Sequence, residues 1–345
     1  MSTKVRAARA GVRLLAALPA PVQLLLAGGR PLRLDGQVLE PEVQLLLRAF
    51  ALVGEHSLDK GTVEEARQTT RANAALVAPG TPLPMSAVED LTAGGLPARL
   101  YVPPGVGEPS PLLVYFHGGG FVCGDLDTHD SACRFLAREA ALRVLSVDYR
   151  MAPEHPFPVP VEDGLEAFRF AVREAEHLGA DPARIAVGGD SAGGNLAASL
   201  ALLAREERPA PAFQLLIYPV TDWSRKSRSY RLFHEGFFLT EADMDWYRER
   251  FLEADGDAHD PRASPLLADD LGGVAPACVA VAGFDPLRDE GIAYAERLEE
   301  AGVPVSLRVY WGLVHGFVNA TAVGRSPVAA MREIAADLRR GLADA

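Results

Sequence analysis

Cysteine and lysine are the scarce residues of this 345-residue chain. Only Cys123, Cys133 and Cys278 occur, an odd number without C-x-x-C spacing, so neither a disulfide framework nor a zinc pattern is present. A reducing, cytoplasmic setting is the expectation. Lysine stands only at 4, 60 and 226, no long Lys/Arg run exists, and the net charge is −12, so the field that nucleic acid requires is missing. The same balance argues against anionic membrane surfaces. Long apolar runs are missing as well. Lys4, Arg6, Arg9 and Arg13 precede the apolar stretch Leu14 to Ala27 like the start of a secretory signal, but Pro19, Pro21 and Gln23 interrupt it. Nothing reaches the roughly 18 apolar residues that would suggest a membrane span.

Hydrophobic residues make up 48% of the chain and charged ones 23%, which excludes a disordered protein and allows a sizeable core. At roughly 100–200 residues per domain, the length fits one large domain with an insertion, or two domains. Up to about residue 76 the apolar spacing is helical: Val5 to Leu26 broken at its prolines, Glu42 to Leu52, and Val63 to Leu76. Beyond Pro84 short apolar runs alternate with helical ones. Strands are predicted at Ala98 to Val102, Leu112 to Phe116, Val144 to Asp148, Ile185 to Val187, Phe213 to Tyr218, Ala277 to Ala282 and Val305 to Tyr310. Helices are predicted at Ser131 to Ala141, Val161 to Leu178, Gly193 to Arg205, Asp289 to Ala301 and Pro327 to Leu342.

This alternation predicts an α/β fold whose mostly parallel central sheet is flanked by helices. Between Asp222 and Pro265 the rhythm stops, and an aromatic-rich stretch with a helix from Thr240 to Glu253 takes its place. Together with the N-terminal helices it would form a helical cap over the carboxyl edge of the sheet, where open α/β folds bind ligands. The predicted organisation is therefore residues 1–76 as a first cap segment and lead-in, 77–221 and 266–345 as the two parts of the core, and 222–265 as a second cap segment. The last strand, at a sheet edge, could pair two copies into a homodimer.

The strongest chemical signal is Gly189-Asp190-Ser191-Ala192-Gly193 between a predicted strand and a predicted helix. In that context G-x-S-x-G is a nucleophile elbow, a strained turn that exposes the serine hydroxyl. Serine needs a base, and the base needs a carboxylate to orient it; behind such an elbow the acid comes next in the chain and the histidine last. Asp285 follows one predicted strand and His315 follows the next, both at carboxyl ends. Asp289 competes with Asp285, but after Pro286 it reads as a first-turn helix carboxylate. His56, His177 and His259 fall in helical or polar loop contexts and read as solvated. The glycines of His117-Gly118-Gly119-Gly120-Phe121 follow a strand, and the N–H groups of Gly118 and Gly119, with that of Ala192, are the predicted donors to a negative oxygen. Gly120 would be conformational, and His117 would hold the loop by hydrogen bonds.

These stretches, with Asp148-Tyr149-Arg150-Met151-Ala152-Pro153-Glu154-His155-Pro156-Phe157-Pro158, Asp285-Pro286-Leu287-Arg288-Asp289-Glu290 and His315-Gly316-Phe317, resemble the bacterial hormone-sensitive-lipase family of α/β-hydrolase esterases. The match runs from about residue 85 to the C-terminus, and Asp190 before the nucleophile fits the family's common variant. The segment from Leu18 to Leu47 is similar to its helical cap more loosely. The resemblance implies a serine carboxylesterase acting on short- to medium-chain acyl esters as small-molecule substrates, without metal or organic cofactor. It also implies a supporting loop, Tyr149 to Pro158, in which Glu154 pairs with Arg150. A long-chain lipase, lactonase or amidase would use the same triad, whereas a non-catalytic receptor would have no need of His315. Phe121, Trp223, Phe237 and Phe238 are the candidates for an apolar acyl pocket, since each buried methylene contributes about 0.8 kcal/mol.

Overall fold

The computed structural model describes residues 3–53 and 60–343. Four helices open the chain: α1 (Thr3–Ala17), α2 (Ala20–Leu26), α3 (Pro41–Val53) and α4 (Val63–Val77). The prolines separate α1 from α2, Pro21 sitting in the first turn of the second helix, where its missing N–H costs no hydrogen bond. Buried Gln23 folds α2 back by donating to the Leu15 and Ala16 carbonyls. Thr62 and Glu65 form a capping box that starts α4. A two-stranded ribbon, β1 (Arg33–Leu34) with β2 (Gln37–Val38), lies between α2 and α3, too short to show in the sequence pattern.

The central sheet contains β3 (Ala87–Ala93), β4 (Leu96–Val102), β5 (Ser110–Phe116), β6 (Arg143–Val147), β7 (Ala180–Asp190), β8 (Phe213–Ile217), β9 (Ala277–Phe284) and β10 (Val305–Val314). Their order is β10-β9-β8-β7-β5-β6-β4-β3. From β10 to β6 all neighbours are parallel, while β4 is antiparallel to both β6 and β3. The alternation of strand and helix anticipates the parallel part. It misses β3, which lies at the edge, is mostly exposed, and carries Glu89 and Asp90 instead of an apolar run. β10 occupies the opposite edge, as expected of the last strand.

Strand periodicity divides the core in two. Leu112, Val114 and Phe116 face one side, packing with α6 (Val159–Arg173), α7 (Ala192–Leu203) and α10 (Arg288–Glu300). Leu113 and Tyr115 face the other, packing with α5 (Asp130–Ala140) and α11 (Ser326–Ala343). Because helices cover both faces, β5, β6, β8 and β9 are buried nearly throughout, which explains their continuous apolar runs. The stretch between β8 and β9 holds α8 (Arg228–Leu232) and α9 (Glu241–Phe251), the latter capped by Thr240 and Asp243.

The N-terminal segment is fastened to the carboxyl edge of the sheet at three points. Gln37 donates to the Gly283 carbonyl at 2.6 Å, the Glu40 N–H donates to the Gly312 carbonyl at 3.0 Å, and buried Glu42 accepts the Arg325 and Ser326 N–H groups where α11 begins. A carboxylate on otherwise unpaired N–H groups at a helix start is a favourable cap. Glu42→Ala is therefore expected to lower the unfolding free energy by about 1–3 kcal/mol, measured by urea denaturation; an unchanged midpoint would remove Glu42 as the fastening point.

Candidate active site

β7 ends at Asp190, α7 begins at Ala192, and Ser191 between them adopts φ +56° and ψ −118°. Such a conformation costs about 1–3 kcal/mol and persists only where the surroundings impose it. Here the cause is close approach: a Cβ on Gly189 or Gly193 would run into the Phe116 carbonyl oxygen of the neighbouring strand β5. The Ser191 N–H donates to the Ile217 carbonyl at 2.9 Å, and the Asn195 N–H to the Ser191 carbonyl at 3.0 Å. The turn is thus held from both sides.

His315 follows β10 and places Nε2 3.0 Å from Ser191 Oγ. Its Nδ1 lies 2.7 Å from Asp285 Oδ2, just beyond β9. Asp285 is fully buried, and its second oxygen accepts the Leu287 N–H at 2.9 Å. A carboxylate accepting from Nδ1–H leaves the Nε2 lone pair facing the serine hydroxyl. Asp289 is turned elsewhere, with one oxygen accepting the Ser229 N–H and the other the Arg288 guanidinium, both at 2.8 Å. Glu290 is buried nearby. Burial first, with the Asp222 and Asp285 charges, pushes its carboxyl well above the ordinary range, and one of its oxygens accepts the Thr221 N–H at 2.8 Å.

The loop from His117 to Phe121 lies beside the elbow because β5 and β7 are neighbours. His117 Nδ1 donates to the Gly118 carbonyl at 2.9 Å, its ring stacks on Tyr149 at 4.5 Å, and the Tyr149 hydroxyl donates to the His117 carbonyl. One expected donor is corrected. The Gly118 N–H is committed to Asp190 Oδ1 at 3.0 Å and is unavailable to a ligand. The N–H groups of Gly119 and Gly120, and of Ala192 at the start of α7, have no acceptor among the described residues. Gly119 adopts φ +120°, and a Cβ there would meet the Cys123 carbonyl, so glycine is required. Asp190 also accepts from the Tyr115 hydroxyl at 2.6 Å and lies 3.3 Å from His129 Nε2. Burial alone would raise its carboxyl, but the facing His129 and these hydrogen bonds outweigh burial and hold it below the ordinary range.

A cavity of about 420 Å³ opens over Ser191 and His315. Both segments outside the sheet line it: Leu46, Leu47 and Phe50 from α3, Asn73 from α4, and Phe238 and Tyr247 from the stretch between β8 and β9. Of the four predicted pocket aromatics only Phe238 is among the lining residues. Phe121 is stacked on Phe251 at 3.7 Å and flanked by Trp223, while Phe237 packs between Phe233 and Phe284; all three belong to the core. The helical spacing of the α3 leucines marks an apolar face in the sequence, but only the fold turns Leu46 and Leu47 towards this cavity.

Two further expectations change. Glu154 pairs with Arg67 of α4 at 2.7 Å, and Arg150 pairs instead with Asp163 at 2.6 Å. Arg67 also donates to the Val122 and Ala152 carbonyls, so one guanidinium ties α4 to the glycine loop and to the Tyr149–Pro158 loop. No local pattern could reveal a partner so distant in sequence. His177 and His259 are exposed as expected, and His56 lies outside the described residues.

Comparison with known proteins shows the family and the fold. A family model described as the alpha/beta hydrolase fold matches residues 113–319. The chain is 46% identical to a carboxylic ester hydrolase, LipN, of Mycobacterium tuberculosis, over 96% of this chain and 91% of the relative. It is 41% identical to an ethyl acetate hydrolase of Pseudomonas putida, over 78% of this chain and 86% of the relative. Among solved structures, an ester hydrolase from the metagenome of Lake Arreo, in complex with a bipyridine phosphonate derivative, superposes with a TM-score of 0.83 at 44% identity, covering 88% of this chain and 98% of that one.

The Asp190 cluster gives a pH-dependent expectation. A carboxyl held below its unfolded value contributes stability above about pH 4, lost as the pH falls through the folded value. Asp190→Asn should therefore be less stable than the wild type at pH 7, with the gap closing towards pH 3 in urea titrations. A gap that stays constant would mean that the carboxylate charge plays no part in stability.

Proposed function

Since the chain belongs to the hormone-sensitive-lipase family of α/β hydrolases and is a carboxylic ester hydrolase, we propose that it cleaves short- to medium-chain acyl esters through an acyl-enzyme on Ser191. The observation that carries this reading is the continuous hydrogen-bonded line Ser191–His315–Asp285 at the floor of the cavity. Ser191 Oγ attacks the ester carbonyl while His315 Nε2 accepts its proton. Asp285 holds the ring orientation and stabilises the imidazolium that forms. The negative oxygen of the tetrahedral intermediate takes hydrogen bonds from Gly119, Gly120 and Ala192, donors already in place and unpaired. His315 returns the proton to the leaving alcohol, and water repeats the sequence to release the acid.

The substrate size rests on the cavity. At about 420 Å³ it lies near the lower end of the ~300–1,000 Å³ common for small-molecule sites. Its α3 leucines and Phe238 offer an apolar wall to an aliphatic chain, each buried methylene contributing about 0.8 kcal/mol. The ethyl acetate hydrolase among the relatives supports a short acyl group. Three unpaired, buried cysteines support a cytoplasmic location.

Hydrolysis of a p-nitrophenyl ester ladder from acetate to palmitate tests both parts. The expected result is a maximum at short to medium chains and a loss of about 10⁴–10⁶ in kcat for Ser191→Ala. Near-normal turnover by Ser191→Ala would remove the assigned nucleophile, and a maximum at palmitate would remove the size limit.

A further inference from the structure

We propose that the outward face of α1 and α2 docks on an anionic lipid surface. Nine large apolar side chains are exposed among the described residues, and four of them lie between Leu14 and Leu26: Leu14 at 68%, Val22 at 39%, Leu25 at 73% and Leu26 at 51%. A single exposed leucine needs no explanation. Val22, Leu25 and Leu26, however, stand at i, i+3 and i+4 and share one face of α2, while Gln23 on the other side is buried against α1.

Charge selects the partner. The sequence up to residue 53 carries seven Lys and Arg against three Asp and Glu, whereas the whole chain has a net charge of −12. Two of those three acids are already engaged: Asp35 pairs with Arg228 and Arg288, and Glu42 caps α11. Arg30, Arg33 and Arg48 are exposed and form no ion pair among the described residues. Arg30 follows Leu26 by four positions, and Gln44, one turn before Arg48 on α3, donates to the Arg30 carbonyl at 2.8 Å, so exposed arginine stands at the C-terminal end of the apolar face, a combination that suits the interface of an anionic bilayer. Acidic groups beyond a Debye length of about 8–10 Å are screened, so the net charge that argued against such surfaces does not decide the matter. A second copy of this chain would bring the same arginines together, which like-charge repulsion disfavours.

The face has a clear relation to the cavity. α2 packs on α3, and α3 supplies Leu46, Leu47 and Phe50 to the cavity wall. Docking would place that wall one helix away from a reservoir of apolar esters. The inference stands apart from the ester reading, because the binding test needs no turnover.

The experiment is sedimentation of the full chain with mixed phosphatidylglycerol and phosphatidylcholine vesicles, compared with phosphatidylcholine alone. Expected are salt-sensitive binding that favours the anionic vesicles, and a loss of at least about tenfold in both Leu25→Asp/Leu26→Asp and Arg30→Glu/Arg33→Glu. Circular dichroism should show both variants folded, and hydrolysis of soluble p-nitrophenyl butyrate should remain at the wild-type rate. Absence of binding, or equal binding by wild type and variants, would overturn the proposal. So would a dimer in light scattering that Leu25→Asp/Leu26→Asp dissolves while vesicle binding is unaffected.

Discussion

The contact on which the site depends is the approach of Gly189 and Gly193 to the Phe116 carbonyl, across two adjacent parallel strands. It forces Ser191 into a left-handed conformation and brings the loop after β5 alongside the turn after β7. Ser191 and the free N–H groups of Gly119, Gly120 and Ala192 thus share one edge for a topological reason, not through long-range adjustment. β9 and β10 continue the same parallel sheet, so Asp285 and His315 emerge on that edge too. Each side chain then has only a few ångströms to bridge.

Asp285, Asp190 and Glu290 are all buried near the elbow, but each has different partners. Asp285 faces an imidazole and a backbone N–H. Asp190 is surrounded by the donors Tyr115, Gly118 and His129, so it stays charged and fixes which glycine N–H remains free. Glu290, dominated by burial and near two other acids, is pushed towards the neutral form. The chemistry proposed for the first therefore relies on the structural work of the second.

Much of this was legible in the sequence because its determinants are local. Parallel strands buried on both faces read as apolar runs, and the elbow and glycine loop are each held within a few residues. What could not be read depends on distant partners. Nothing within Gly118-Gly119-Gly120 shows which N–H is free, since Asp190 decides it from 72 positions away. Arg67 takes Glu154 away from Arg150 in the same manner. Aromatic side chains signal burial but not what they are buried against, so nothing local shows that Phe121, Trp223 and Phe237 build the core and not the cavity wall. β3 escaped notice because an exposed edge strand has no apolar run to display.

The N-terminal helices have the loosest sequence signature and combine two roles. α3 and α4 wall the cavity, while α1 and α2 carry the exposed Leu14, Val22, Leu25 and Leu26. The claim at the centre of the account is that Asp285 alone orients His315 against Ser191. The most direct measurement is kcat for ester hydrolysis by Asp285→Asn beside Asp289→Asn. The account predicts a loss of about 10⁴ for the first and near-wild-type turnover for the second. The reverse order, or equal losses, would contradict it.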